Sequence, residues 1–121
     1  MERKEKIRII KLALERLENG FNDFICNAVN VVYYYKTGKH LSFVELNYFM
    51  RKNFSDLCEC AKKFCENKVP NDLIYGFNFN GGPWFRPYYL DGTKSFPLSS
   101  QREIRIAILK DYIQKLENGE I

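Results

Sequence analysis

Tyr75-Gly76-Phe77-Asn78-Phe79-Asn80-Gly81-Gly82-Pro83-Trp84-Phe85-Arg86-Pro87-Tyr88-Tyr89 is the stretch on which the fold class turns. Tyr75, Phe77 and Phe79 alternate with smaller or polar residues, the period of a strand with one buried face. Asn80-Gly81-Gly82 supplies turn chemistry, and an aromatic run resumes from Trp84 to Tyr89. The reading is a short β-hairpin with irregular arms, its second arm confined to a sheet edge by Pro87, which lacks a ladder N–H. All four prolines, four of the seven glycines and eight of the nineteen aromatics fall between Val69 and Leu98, so the chain changes character there.

On either side of this stretch the pattern is helical. Residues 2–19 carry Ile7, Ile10, Ala13, Leu14 and Leu17 at 3-4 spacing, with Ile9 and Leu12 widening the apolar face and Gly20 as the natural stop. The segment from about Asp23 to Tyr35 holds Phe24, Ile25, Ala28, Val29, Val31 and Val32. Asn22 or Asp23 would cap it as a helix, whereas Val-Val-Tyr-Tyr-Tyr favours a strand; the spacing is read as helix ending before Gly38. Ser42 and Glu45 form a capping box that predicts a helix from Phe43 to about Asn53, and Ser55 restarts one that closes before Pro70. Beyond the aromatic stretch, Ser100 and Glu103 make a second capping box, with Ser99 an alternative cap. It heads a helix striped by Leu109, Tyr112, Ile113 and Leu116, with Ile104, Ile106 and Ile108 spreading round it and Gly119 ending it. The expected architecture is a single domain over residues 1–121, α+β but mainly helical: terminal amphipathic helices, central helices and a small aromatic-rich β-hairpin. The two end helices have apolar faces wider than one contact needs, which points to a homo-oligomer.

At 121 residues, 45% hydrophobic and 16% aromatic, the chain has the composition of one folded domain. It contains no apolar run of the roughly 18 residues a membrane helix needs, so no membrane partner is expected. The charged amphipathic start is unlike a secretory leader, and the expected location is cytoplasmic. Net charge is +4 and thinly spread, with +2 in residues 1–20 and +2 in 21–70. No basic stripe or reader motif stands out, which disfavours general DNA binding.

The single histidine, His40, restricts catalysis. A Ser-His-Asp or Cys-His site would have to use this one residue, which sits in a Lys-Thr-Gly-Lys-His segment that reads as a surface turn. With no paired-carboxylate or phosphate-loop signature either, no catalytic residues are assigned and the chain is read as a non-enzyme. Cys26, Cys58, Cys60 and Cys65 lack the two short knuckles of a structural zinc site. They read as reduced core or boundary cysteines, with neither metal nor cofactor expected.

The densest candidate binding region joins the aromatic loop to the start of the last helix. Glycines allow close approach of a ligand, Trp84, Phe85 and Tyr88 offer stacking faces, Asn80 offers a polar edge, and Arg86 can pair with phosphate or carboxylate. Arg102 and Arg105 lie three residues apart where helix N–H groups already favour an anion. Asn80, Trp84, Phe85, Arg86, Tyr88, Arg102 and Arg105 are thus the candidate ligand-binding residues, suited to a nucleotide-like molecule. Against this stands the ordinary use of aromatics as core and of Gly and Pro as turns.

The layout resembles a loose group of small phage and prophage proteins. The resemblance rests on a first helix ending near Leu-x-x-Gly, on Phe24-Ile25-Cys26-Asn27-Ala28, on Pro83-Trp84-Phe85-Arg86-Pro87 and on an Arg-led helix from Arg102 to Leu116. It implies an accessory phage gene product acting in the host cytoplasm against host defence. Such a protein would sequester a small nucleotide-derived signalling molecule; the alternative is an interaction module that inhibits a host protein, a defence enzyme, by direct binding.

Overall fold

The computed structural model describes the backbone of residues 1–69, 73–77, 83–89, 91 and 98–121, and the side chains of 1–69, 91 and 101–121. Its body is five helices: α1 (Arg3–Glu18), α2 (Ile25–Thr37), α3 (Phe43–Asn53), α4 (Ser55–Lys68) and α5 (Leu98–Glu117). The α+β expectation is therefore corrected to a helical domain. Leu73–Phe77 and Pro83–Tyr89 run antiparallel with an irregularity between Leu73 and Tyr75. The described core is filled by the inner stripes of the helices, with Tyr112 and Phe54 its largest fully buried side chains. Residues 78–82, where the turn was expected, lie outside the described residues.

Helix α2 settles the choice between helix and strand at residues 24–35. Ile25, Cys26, Ala28, Val29 and Val32 are buried, a 3-4 pattern that gives a helix one continuous inner face. Tertiary burial of that face outweighs the β preference of Val31–Tyr35. The helix stops where Gly38 adopts φ +75°, a left-handed conformation that costs other residues energy, and its N–H bonds back to the Tyr34 carbonyl. Neither proposed cap occupies the N-cap position, which is Phe24. Asp23 instead accepts from the Phe24 N–H at 2.7 Å and from Asn27 Nδ2 at 2.9 Å.

The Ser42–Glu45 capping box at the head of α3 forms in both directions, at 3.1 and 3.2 Å. Glu45 also pairs with Lys39 at 3.0 Å. The Lys39 bond and those around Ser42 hold its carboxyl down to about 2. At the other end of the chain α5 begins at Leu98, so Ser99 and Ser100 lie inside the helix and the expected cap positions are corrected to a start one turn earlier. The extra length is consistent with a helix secured by packing of its later turns more than by its first residues.

Most of the wide apolar face of each end helix is used within the chain, Leu12 of α1 being left exposed. Helix α1 packs against both α2 and α5, which is why Ile9 is buried along with Ile10, Ala13 and Leu17. From α5, Ile108, Leu109, Tyr112, Ile113 and Leu116 enter the same core. Polar ties hold the two helices in register: Arg3 Nε donates to the Leu116 carbonyl at 3.1 Å, and Arg3 also reaches the Ile121 carbonyl at 2.6 Å. Lys11 pairs with Glu117, and Lys110 with Glu18. Across the α1–α4–α5 junction, Lys6 donates to both oxygens of Asp56 at 3.0 and 2.9 Å, and the buried Tyr112 hydroxyl donates to Asp56 Oδ1 at 2.7 Å.

Candidate functional site

The α1–α2 turn defines one corner of the molecule, and two of the sequence-derived site residues meet there. Arg105 is only 6% exposed; its guanidinium lies 4.9 Å from the centre of the Phe24 ring and donates to the Asp23 carbonyl at 3.4 Å. Burial pulls its pKa below the ordinary arginine value, partly offset by Asp23, and its Nε finds no hydrogen-bond partner among the described residues. Arg102 reaches the same turn, with a guanidinium nitrogen 4.0 Å from where a Cβ on Gly20 would sit. Asn80 and the side chains of Trp84, Phe85, Arg86 and Tyr88 lie outside the described residues. Of the seven candidates, Arg102 and Arg105 are thus placed, together, against residues 20–24.

Among the described basic side chains Arg105 is the one that is buried. Replacing it with methionine keeps an unbranched stem against Phe24 and removes the unpaired nitrogen, so stability is expected to stay within about 1 kcal/mol of the parent. Arg105→Ala loses stem packing and the ring contact together and is expected to cost about 2 kcal/mol. Urea unfolding of the two variants measures the difference. Equal losses would mean that the bond to Asp23, rather than packing, is what ties α5 to the turn.

A cleft of about 730 Å³ opens between α1 and α2 on the side of Arg8, Glu15, Arg16, Asn19, Tyr35 and Lys36. The sequence reading did not single out this set. Its members on α1 and α2, such as Arg16 and Tyr35, are far apart in the chain and meet only because the two helices lie side by side. Tyr35 is 69% exposed although it belongs to an aromatic run, and the Arg16 guanidinium lies 4.7 Å from its ring centre. Glu5 pairs with Lys36 and approaches Arg8 at 3.9 Å. Three cations against Glu15 give the lining a positive balance, and Asn19 adds an amide. The cleft is thus suited to a ring that stacks on Tyr35 and carries an anionic group toward Arg8, Arg16 or Lys36.

The described cysteines and histidine are poor material for nucleophilic chemistry. Cys60 donates to Asp111 at 3.3 Å and receives a long contact from Lys115 at 3.9 Å. Burial, then the Asp111 carboxylate, pushes its thiol up to about 11, and burial raises Cys65 to the same level. A thiol in that range is almost wholly protonated near neutral pH. Cys60 and Cys65 are both buried, Cys58 is intermediate, and α4 turns its Cys60 side toward α5. His40 is exposed beside the Tyr34 ring. Among the described residues no group of three or more His, Cys, Asp or Glu side chains could hold a metal ion, and no helix is long and apolar enough to cross a membrane.

No protein-family model matches the chain, and no curated protein or solved structure shows significant similarity to it.

Proposed function

We propose that the domain is a non-catalytic binder that sequesters a small anionic ligand bearing an aromatic ring, of the nucleotide class, in the α1–α2 cleft. The observation that carries this reading is the exposed Tyr35 ring beside Arg16 in a cleft that also holds Arg8 and Lys36. Its volume of about 730 Å³ suits a ligand of nucleotide size. A base stacks on the tyrosine while phosphate oxygens take charge-assisted bonds from the cations, and Glu15 or Asn19 can read the polar edge of the base. Asn19 and Phe21 close the end of the cleft next to Gly20, and Arg102 stands against that same turn. One of the arginines first suspected from sequence therefore lies near the cleft end, while Arg105 is engaged with Phe24.

Titration calorimetry with a mononucleotide and a cyclic dinucleotide tests the proposal, with native mass spectrometry to count ligands per chain. The parent protein is expected to bind at least one of the two and return it unaltered. Arg16→Ala is expected to weaken binding about tenfold and Arg16→Ala with Lys36→Ala about a hundredfold, since each charge-assisted bond is worth ~1.5–3 kcal/mol. Both positions are on the surface, so folding should be retained. No binding by the parent protein, or equal binding by the double variant, would remove the cleft as the site.

A further inference from the structure

Helix α3 turns its inner side, Leu46 and Met50, to the core and leaves Val44 75% and Tyr48 67% exposed. These two lie one helical turn apart on the same outer face, and Phe43, 73% exposed, stands at its N-terminal edge. Beside them is a shallow, mostly apolar groove of about 610 Å³ lined in part by Met1, Leu41 and Phe49. Exposed side chains of this size, grouped on one helix, are unusual on a surface that meets only water. Among the described residues the end helices expose one large apolar side chain, Leu12 at 37%, because α1 and α5 bury most of their wide faces in each other and in α2.

We propose that this face of α3 receives a second copy of the same chain, the two α3 helices lying antiparallel about a two-fold axis at Tyr48. The charge pattern selects that occupant. Tyr48 is the middle residue of the eleven that make α3, and Glu45 and Lys52 lie on one flank of the face, on either side of it. A two-fold axis at Tyr48 keeps that flank on the same side and reverses its direction. Glu45 of each copy then stands opposite Lys52 of the other, twice over, while Val44 and Tyr48 of the two chains cover one another. A parallel two-fold would carry that flank to the opposite side of the second helix, so Glu45 and Lys52 would not meet across the contact. Such isologous pairing is the usual way a soluble chain associates with itself. Lys52 already lies 5.9 Å from the Tyr48 ring centre, so the cation and the apolar centre move into the contact together. One helix face with its adjoining groove offers less than the roughly 800 Å² per partner of a standard stable interface, so the dimer is concentration-dependent.

Sedimentation equilibrium of the full chain over a wide concentration range tests this. The parent is expected to move from the 14.4 kDa chain mass toward twice that value as concentration rises. Val44→Glu and Tyr48→Glu, both at exposed positions, are expected to remain at the single-chain mass throughout. Lys52→Glu places carboxylates opposite one another and is expected to weaken association at least tenfold, less so in high salt. Far-UV circular dichroism confirms that each variant is folded. In a Tyr48→Cys variant, mild oxidation should join the two copies through that position, identified by peptide mapping against the native cysteines. A parent that stays at the single-chain mass overturns the proposal, and so does a dimer that the Val44 and Tyr48 variants leave intact. A dimer with no cross-link through position 48 overturns the two-fold placement.

Discussion

Tyr112→Ala is expected to lower unfolding free energy by about 4 kcal/mol. The Tyr112 ring is fully buried at the junction of α1, α4 and α5. Truncating it leaves a cavity whose walls are held by three separate helices and cannot easily close. The hydroxyl adds a second loss. It donates to Asp56 Oδ1, which also accepts from Lys6, and Lys6 lies 5.8 Å from the centre of the Tyr112 ring. Burial and the bond to Asp56 both push the phenol's pKa upward, so the hydroxyl stays protonated and remains a donor throughout the working pH range. Tyr112→Phe separates the two contributions: the ring stays, and the expected cost is only about 1–2 kcal/mol for the lost bond. Lys6 still pairs with Asp56 in that variant, and the partly exposed carboxylate can take a water in place of the hydroxyl. Urea unfolding monitored by circular dichroism checks both. A Tyr112→Ala loss no larger than that of Tyr112→Phe would mean that the three helices close over the missing ring.

The same core shows how far the chain could be read without its structure. Helices α3 and α4 begin and end close to where the Ser42 capping box and the Ser55 restart place them, because those signals are local hydrogen bonds and breaks. For α2 the local signals disagreed: Val31–Tyr35 prefers a strand, while Ile25, Ala28, Val29 and Val32 trace a helical face. The outcome depended on whether α1 was there to cover that face. Alternating aromatics at Tyr75–Phe79 put a hairpin into the expected fold class, whereas the described body is five helices; periodicity says that a face is apolar, not what the body of the domain is built from. The α1–α2 cleft was illegible for a related reason. Arg16 and Tyr35 are far apart in sequence, and only the pairing of two helices puts a guanidinium against that ring. Val44 and Tyr48 left a readable trace: they fall outside the Leu46–Met50 stripe, so a helix there had to point them away from the core.

Asn30→Ala is expected to cost about 3 kcal/mol, more than its size suggests, because the loss falls on the backbone it serves. Asn30 is a buried polar residue of α2 whose Nδ2 donates to the Leu41 carbonyl at 3.1 Å and whose Oδ1 accepts the Leu41 N–H at 3.1 Å. Leu41 lies in the connection between α2 and α3 and is itself buried, so the alanine variant strands one donor and one acceptor away from water. Each stranded group costs about 1–3 kcal/mol. An aspartate at this position makes the argument testable by pH. Neutral, it offers both an O–H donor and a carbonyl acceptor and can copy the asparagine pair; ionised, it turns a second acceptor toward the Leu41 carbonyl in a buried place. Burial and that carbonyl raise the folded-state pKa above the unfolded value of about 4. The Asn30→Asp variant is therefore expected to match the parent most closely below that unfolded value. It should lose stability relative to the parent as pH rises through the raised folded-state value, until it resembles or falls below Asn30→Ala. Urea unfolding of parent and both variants across acid to neutral pH measures the divergence. A constant offset between parent and Asn30→Asp over that range would show that the amide's two bonds are not what holds the α2–α3 connection. Because that connection sets where α3 stands, Asn30→Ala should also weaken the self-association of α3 in proportion to the α3 turns it loosens, with Val44 and Tyr48 unchanged.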